Sequence, residues 1–86
     1  MPTVQINKTE YTKIVDAAVE VFTAQCRAMV GMEVQFGAEQ PDVDVAGVLV
    51  PGGLPYGVSR ANAAGHGWAK LPADAAIDTA DVVVVL

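Results

Sequence analysis

Residues 32 to 36 alternate without exception. Met32, Val34 and Phe36 fall on one side and Glu33 and Gln35 on the other, the pattern of a half-buried strand. The closing stretch is apolar on both sides: Asp81 is followed by Val82, Val83, Val84, Val85 and Leu86, and a run of β-branched valines favours a strand. Between these two segments the chain is interrupted by Pro41, Gly47, Pro51-Gly52-Gly53, Pro55, Gly57, Gly65, Gly67 and Pro72. Breakers at that density leave room for strand-sized segments at 46–50, 55–58 and 68–71, and little room for helices of ordinary length. From Gly31 onward the pattern predicts a β structure.

Residues 11–30 support two readings. Lys13, Asp16, Glu20, Thr23 and Arg27 recur at steps of three or four, opposite Tyr11, Val15, Ala18, Phe22, Cys26 and Met29, which describes an amphipathic helix. The alternative is a pair of strands, 12–15 and about 19–29, joined by a turn at Asp16-Ala17-Ala18. In the second of these Thr23, Gln25 and Arg27 alternate with Ala24, Cys26 and Ala28. The β-branched Ile14, Val15, Val19 and Val21 disfavour the helix, because each loses side-chain freedom there. Periodicity alone still leaves the helix slightly ahead, so the residues by themselves leave two fold classes open: α+β if 11–30 is helical, all-β if it is a pair of strands.

Composition narrows the function classes. The 86 residues suffice for one domain, 1–86, with no linker or repeat to divide it. An apolar fraction of 52% against 17% charged residues excludes intrinsic disorder. No apolar run approaches the length of a membrane span, so no membrane partner is expected. Met1-Pro2-Thr3-Val4-Gln5 has neither a basic head nor an apolar core, so no signal peptide is expected. A domain this small is marginal without reinforcement. With Cys26 and His66 each single, neither an internal disulfide nor a Cys/His zinc site is available. Oligomerisation or docking on a larger assembly is what remains.

Ten acidic against five basic residues give a net charge of -5, and Lys8, Lys13, Arg27, Arg60 and Lys70 are scattered. Nucleic-acid binding needs cations to replace phosphate counterions, so it is not expected. Individual motifs carry little chemistry. Gly65-His66-Gly67 reads as a turn, and Ser59, His66 and an Asp lack the strand–turn–helix setting of a hydrolase nucleophile. Glu39, Asp42 and Asp44 do not have EF-hand spacing, and Pro51-Gly52-Gly53-Leu54-Pro55 lacks the Lys-Ser/Thr of a phosphate loop. No catalytic residue, metal site or cofactor is expected, and the chain is expected not to be an enzyme. Trp68, between small Gly67 and Ala69, is expected to anchor the core together with Phe36, Val34, Leu49 and alternate valines of 82–86. A stacking platform for a ligand is the other use of Trp68.

The order of segments resembles a known group. Val19 to Cys26 and Arg27 precede Met32-Glu33-Val34-Gln35-Phe36, followed by Gln40-Pro41 and Gly47-Val48-Leu49-Val50-Pro51-Gly52. Gly67-Trp68-Ala69-Lys70 and Thr79-Ala80-Asp81-Val82-Val83-Val84-Val85 complete it. Over roughly residues 19–86 this is similar to the small β-sandwich virion proteins of tailed bacteriophages: capsid decorations, head fibres, and tail or neck accessories. The resemblance tips 11–30 toward strands and implies an all-β fold, a small antiparallel sandwich with early strands at 3–6 and 11–15; α+β with a helix at about 11–30 is the alternative. It also implies assembly surfaces in place of catalytic residues, and location in the virion after assembly in the host cytoplasm. The expected role is a decoration protein on the outer capsid. A tail, neck or baseplate accessory, or a small carbohydrate- or protein-binding module outside a virion, is the alternative. The expected partners are the major capsid protein or other virion proteins, and further copies of the chain. Since a sandwich strand hides one face, either Val82/Val84/Leu86 or Val83/Val85 must be covered from outside. Val83, Val84, Val85 and Leu86 are thus the candidate interface.

Overall fold

In a computed structural model, which describes residues 3–19, 21–59 and 65–86, the chain forms eight strands and no helix among those residues. They are β1 (Thr3–Asn7), β2 (Thr12–Val15), β3 (Val21–Cys26), β4 (Met32–Gly37), β5 (Val48–Val50), β6 (Tyr56–Ser59), β7 (His66–Lys70) and β8 (Thr79–Val85). Local chemistry sets the first breaks. The Asn7 carboxamide oxygen accepts from the amides of Thr9 and Glu10, which ends β1 in an Asx turn. The amide of Val19 donates to the Asp16 carbonyl in the turn expected at 16–18. Gly31, at φ 79°, closes the turn between β3 and β4, a conformation that side chains with a Cβ rarely adopt.

The strands pair antiparallel in a nested series: β1 with β8, β2 with β7, β3 with β6 and β4 with β5. Two further ladders, β3–β8 and β4–β7, gather them into sheets of order β1-β8-β3-β6 and β2-β7-β4-β5. The chain is thus one long hairpin rolled over itself, the connectivity of a jelly roll. The all-β sandwich is what the structure shows, and the helical alternative for 11–30 is corrected. In β3, Phe22, Ala24 and Cys26 are buried while Val21 and Thr23 are exposed, a period of two. Ala18 and Met29, which the helical stripe would bury, are exposed, Met29 by 90%. Pairing with β6 and β8, residues distant in sequence, overrides the local helical spacing.

The core lies between the sheets. Ile6, Phe22, Ala24, Cys26, Val82 and Val84 come from the first sheet, and Ile14, Val15, Met32, Val34, Val50 and Ala69 from the second. Ile14 and Val15 are adjacent yet both buried, because the β2–β7 register shifts between Lys13 and Val15. Phe36 is partly buried, with its ring 6.3 Å from that of Phe22, and so joins the core from its margin.

Two core expectations are corrected. Leu49 is 63% exposed: paired with Glu33, it shares that residue's outward side on the edge strand β5. Trp68 points outward as well, in a row with Lys13 and Gln35, while Gly67 and Ala69 face inward. The reason is steric. A Cβ at Gly67 would collide with Val15 Cγ1 and press on Phe36, so the inner side of β7 has room only for the smallest residues.

Candidate functional site

Strand β8 is an inner strand, pairing with β1 over Thr79–Val83 and with β3 over Val82–Val85, so its apolar excess is a matter of face. Val82 and Val84 are buried, at 0% and 2% exposure. Val84 is therefore a core residue, which corrects its place in the candidate interface. Val83 and Val85 lie on the outer face, Val83 half-buried and Val85 44% exposed. Leu86 follows the strand and is 72% exposed, so it does not continue the inward row of Val82 and Val84.

The β3–β8 register sets Val83 opposite Gln25 and Val85 opposite Thr23. With Arg27 and Pro55 these side chains line a shallow hollow of about 230 Å³ at the centre of the outer face. Val21, two residues before Thr23 on the same side of β3, is 63% exposed, and Leu54 beside Pro55 is 57% exposed. The polar rim is organised: Gln25 Nε2 donates to the Gly53 carbonyl at 2.7 Å and Arg27 donates to Gln25 Oε1 at 2.7 Å. Lys8 pairs with Asp78, Lys13 with Asp16 and Lys70 with Glu33, but among the described residues no carboxylate lies within ion-pair distance of Arg27.

Thr23, Gln25, Arg27 and Pro55 were not singled out by the sequence. The alternation of Thr23, Gln25 and Arg27 placed them on one side of a strand. Only the pairing of β3 with β8 puts them around two valines. The signal present in the sequence was the non-alternating β8, which requires one valine pair to face outward.

The outer face of the second sheet is occupied by polar structure. Lys70 is only 3% exposed; its Nζ donates to Glu33 Oε2 at 3.0 Å and to the Leu71 carbonyl, and lies 5.7 Å from the centre of the Tyr11 ring. The segment between β4 and β5 covers this group. The Gly47 amide donates to Glu33 Oε1, Tyr11 Oη to the Val45 carbonyl, Gln40 Nε2 to the Tyr11 carbonyl and Gln35 Nε2 to the Ala46 carbonyl. Burial works to raise the Glu33 carboxyl, but the Lys70 and Gly47 hydrogen bonds and the Lys70 charge hold it below its usual range. Burial, and then the Glu33 charge, push the Tyr11 phenol up.

The remaining candidates have structural explanations. His66 Nδ1 accepts the Ala17 amide at 3.0 Å and its ring stands edge-on to Trp68, while Trp68 Nε1 donates to the Gly37 carbonyl. Ser59 lies on β6 of the other sheet, apart from His66 on β7. Cys26 is buried, with its thiol directed at the Gly31 carbonyl. Among the described residues no group of three His, Cys, Asp or Glu side chains could hold a metal ion, the acidic stretch 39–44 included. No family model, curated protein or solved structure matches the chain.

Proposed function

We propose that this chain is a non-enzymatic structural protein of a bacteriophage particle, a decoration protein that binds the outer capsid surface and further copies of itself. The observation that carries the reading is the hollow floored by Val83 and Val85. It lies over β3 and β8, the two inner strands of the first sheet, on the face turned away from the core, where water-facing side chains are expected to be polar. An apolar centre with a polar, hydrogen-bonded rim is the anatomy of a protein contact. At about 230 Å³ the hollow is smaller than the roughly 300 to 1,000 Å³ of small-molecule sites, and suits side chains of a partner. The acidic surface suits the outside of a particle, since packaged nucleic acid would repel it on the inner face. A tail, neck or baseplate position is a variant of the same reading and uses the same face.

The test uses paired lysine substitutions and co-sedimentation with bacteriophage capsid particles. Val84→Lys places an unpaired charge in the core and should unfold the domain. Val83→Lys should leave a folded chain that no longer co-sediments with the particles. A folded Val83→Lys chain that binds particles as the native protein does would overturn the reading.

One observation favours a binding module outside a virion. Trp68 lies half-buried on the outer side of β7 in a row with exposed Lys13, whose ammonium is able to bond the hydroxyls of a sugar stacked on the indole. A saccharide titration followed by indole fluorescence tests it: saturable quenching supports the module, and an unchanged spectrum removes it.

A further inference from the structure

Three features of the surface fit one another. The hollow on the first sheet pairs an apolar floor, Val83 and Val85, with Arg27, whose guanidinium is oriented by Gln25 and has no carboxylate at ion-pair distance among the described residues. A cation held in place beside apolar surface calls for a carboxylate next to an aliphatic side chain. The chain carries such a segment: Asp42-Val43-Asp44-Val45, between β4 and β5, where both aspartates are exposed and Val43 and Val45 are 38% and 43% exposed.

That segment is held in a fixed shape. Its turn is closed by the Val45 amide on the Asp42 carbonyl, and it is tied to the body through Tyr11, Gln35, Gln40 and Glu33. A pre-shaped loop loses little conformational freedom on docking. Through Gln35 and Tyr11 it lies against the outer side of the second sheet, whereas the hollow opens on the outer side of the first.

We infer that the occupant of the Arg27–Val83–Val85 hollow is the Asp42–Val45 loop of a second copy of this chain, with a valine on the apolar floor and a carboxylate on Arg27. Because loop and hollow lie on opposite faces of one protomer, the contact is head-to-tail. Successive contacts close into a ring or extend into a row. The inference rests on the proposed use of this face for assembly and names its partner.

Two charge reversals test it. Arg27→Glu spoils the hollow and leaves the loop native; Asp44→Lys spoils the loop and leaves the hollow native. Asp44 is chosen because the backbone amide of Asp44, and not its carboxylate, faces Asp42. Light scattering should show the native chain associating in a manner weakened by salt, and each variant associating about tenfold more weakly or worse. An equimolar mixture of the variants should associate again, since native loop meets native hollow and the reversed pair is also complementary. Circular dichroism confirms that both variants remain folded. A native chain that is monomeric throughout, single variants that associate as the native chain does, or a mixture that fails to recover would each overturn the inference. Loss of particle binding in Val83→Lys, with association unchanged in both charge variants, would leave the face in use and remove this occupant. Unchanged particle binding in Val83→Lys would instead remove the reading on which the inference stands.

Discussion

Lys70 on β7 and Glu33 on β4 are register partners whose charged ends meet at 3.0 Å beneath the loop between β4 and β5. The lysine side chain is 4% exposed and the glutamate side chain 18%. Removing one member of such a pair strands the other charge without solvent. Glu33→Gln should therefore destabilise the domain by about 3 kcal/mol, the lower end of the range for broken buried pairs because Glu33 keeps some contact with water. Replacing both, as Glu33→Leu with Lys70→Met, should cost less than Glu33→Gln alone. Urea denaturation of the three chains measures this, and a double variant weaker than the single one would mean that the pair itself supplies the stability.

Acid should act through the same carboxyl. Glu33 is held below its ordinary value of 4.5 in the folded chain, so the folded state takes up this proton less readily than the unfolded one. The stabilisation is complete above that ordinary value and is lost as the pH falls through the lowered folded value. Tyr11 behaves oppositely: its phenol is raised above 10.0, so its contribution is complete below 10 and is lost as the pH rises through the raised value. Urea midpoints across the pH range should fall at both ends. Glu33→Gln should flatten the acid limb and Tyr11→Phe the alkaline one.

Trp68 and Phe22 should separate widely on truncation. Phe22 is 2% exposed between the sheets, and Phe22→Ala should cost about 3 to 5 kcal/mol. Trp68→Ala loses one hydrogen bond to the Gly37 carbonyl and part of an outward-facing surface, and should cost about 1 to 2 kcal/mol. Melting curves of the two variants decide it; a Trp68 variant as unstable as the Phe22 variant would place the indole in the core.

The spacing of glycine and proline made most strands after Gly31 legible, and the alternation at 32–36 gave the orientation of β4 in advance. In β3 the period-two order of Phe22, Ala24 and Cys26 competed with a helical stripe through the same Phe22 and Cys26. Only a partner strand could decide between them, and β8 lies more than fifty residues downstream. In β7, Gly67-Trp68-Ala69 is small-large-small. Hydrophobicity favours an inward tryptophan, but the space on the inner side is already taken by Val15 and Phe36 from other strands. The hollow was half legible. A valine run without alternation had to expose one pair, while the neighbouring Arg27 depends on register, which single-chain periodicity does not contain.

The contest for space behind β7 has a consequence of its own. An alanine at position 67 would drive its Cβ into Val15 Cγ1, and that methyl belongs to a β-branched side chain with little freedom to turn away. Val15 is only 4% exposed and Phe36 Cε1 stands 3.3 Å from the same point, so the surroundings cannot yield cheaply. Gly67→Ala should thus cost about 1 to 3 kcal/mol through overpacking. Val15→Ala should also destabilise, by leaving a cavity. In the double variant the methyl added at position 67 occupies part of the space vacated at position 15. The two losses should therefore sum to more than the double variant loses, with a coupling of about 1 kcal/mol. A double-mutant cycle in urea measures that coupling. Strictly additive losses would mean that Gly67 and Val15 do not share this space, and the steric account of why Trp68 faces outward would fail with it.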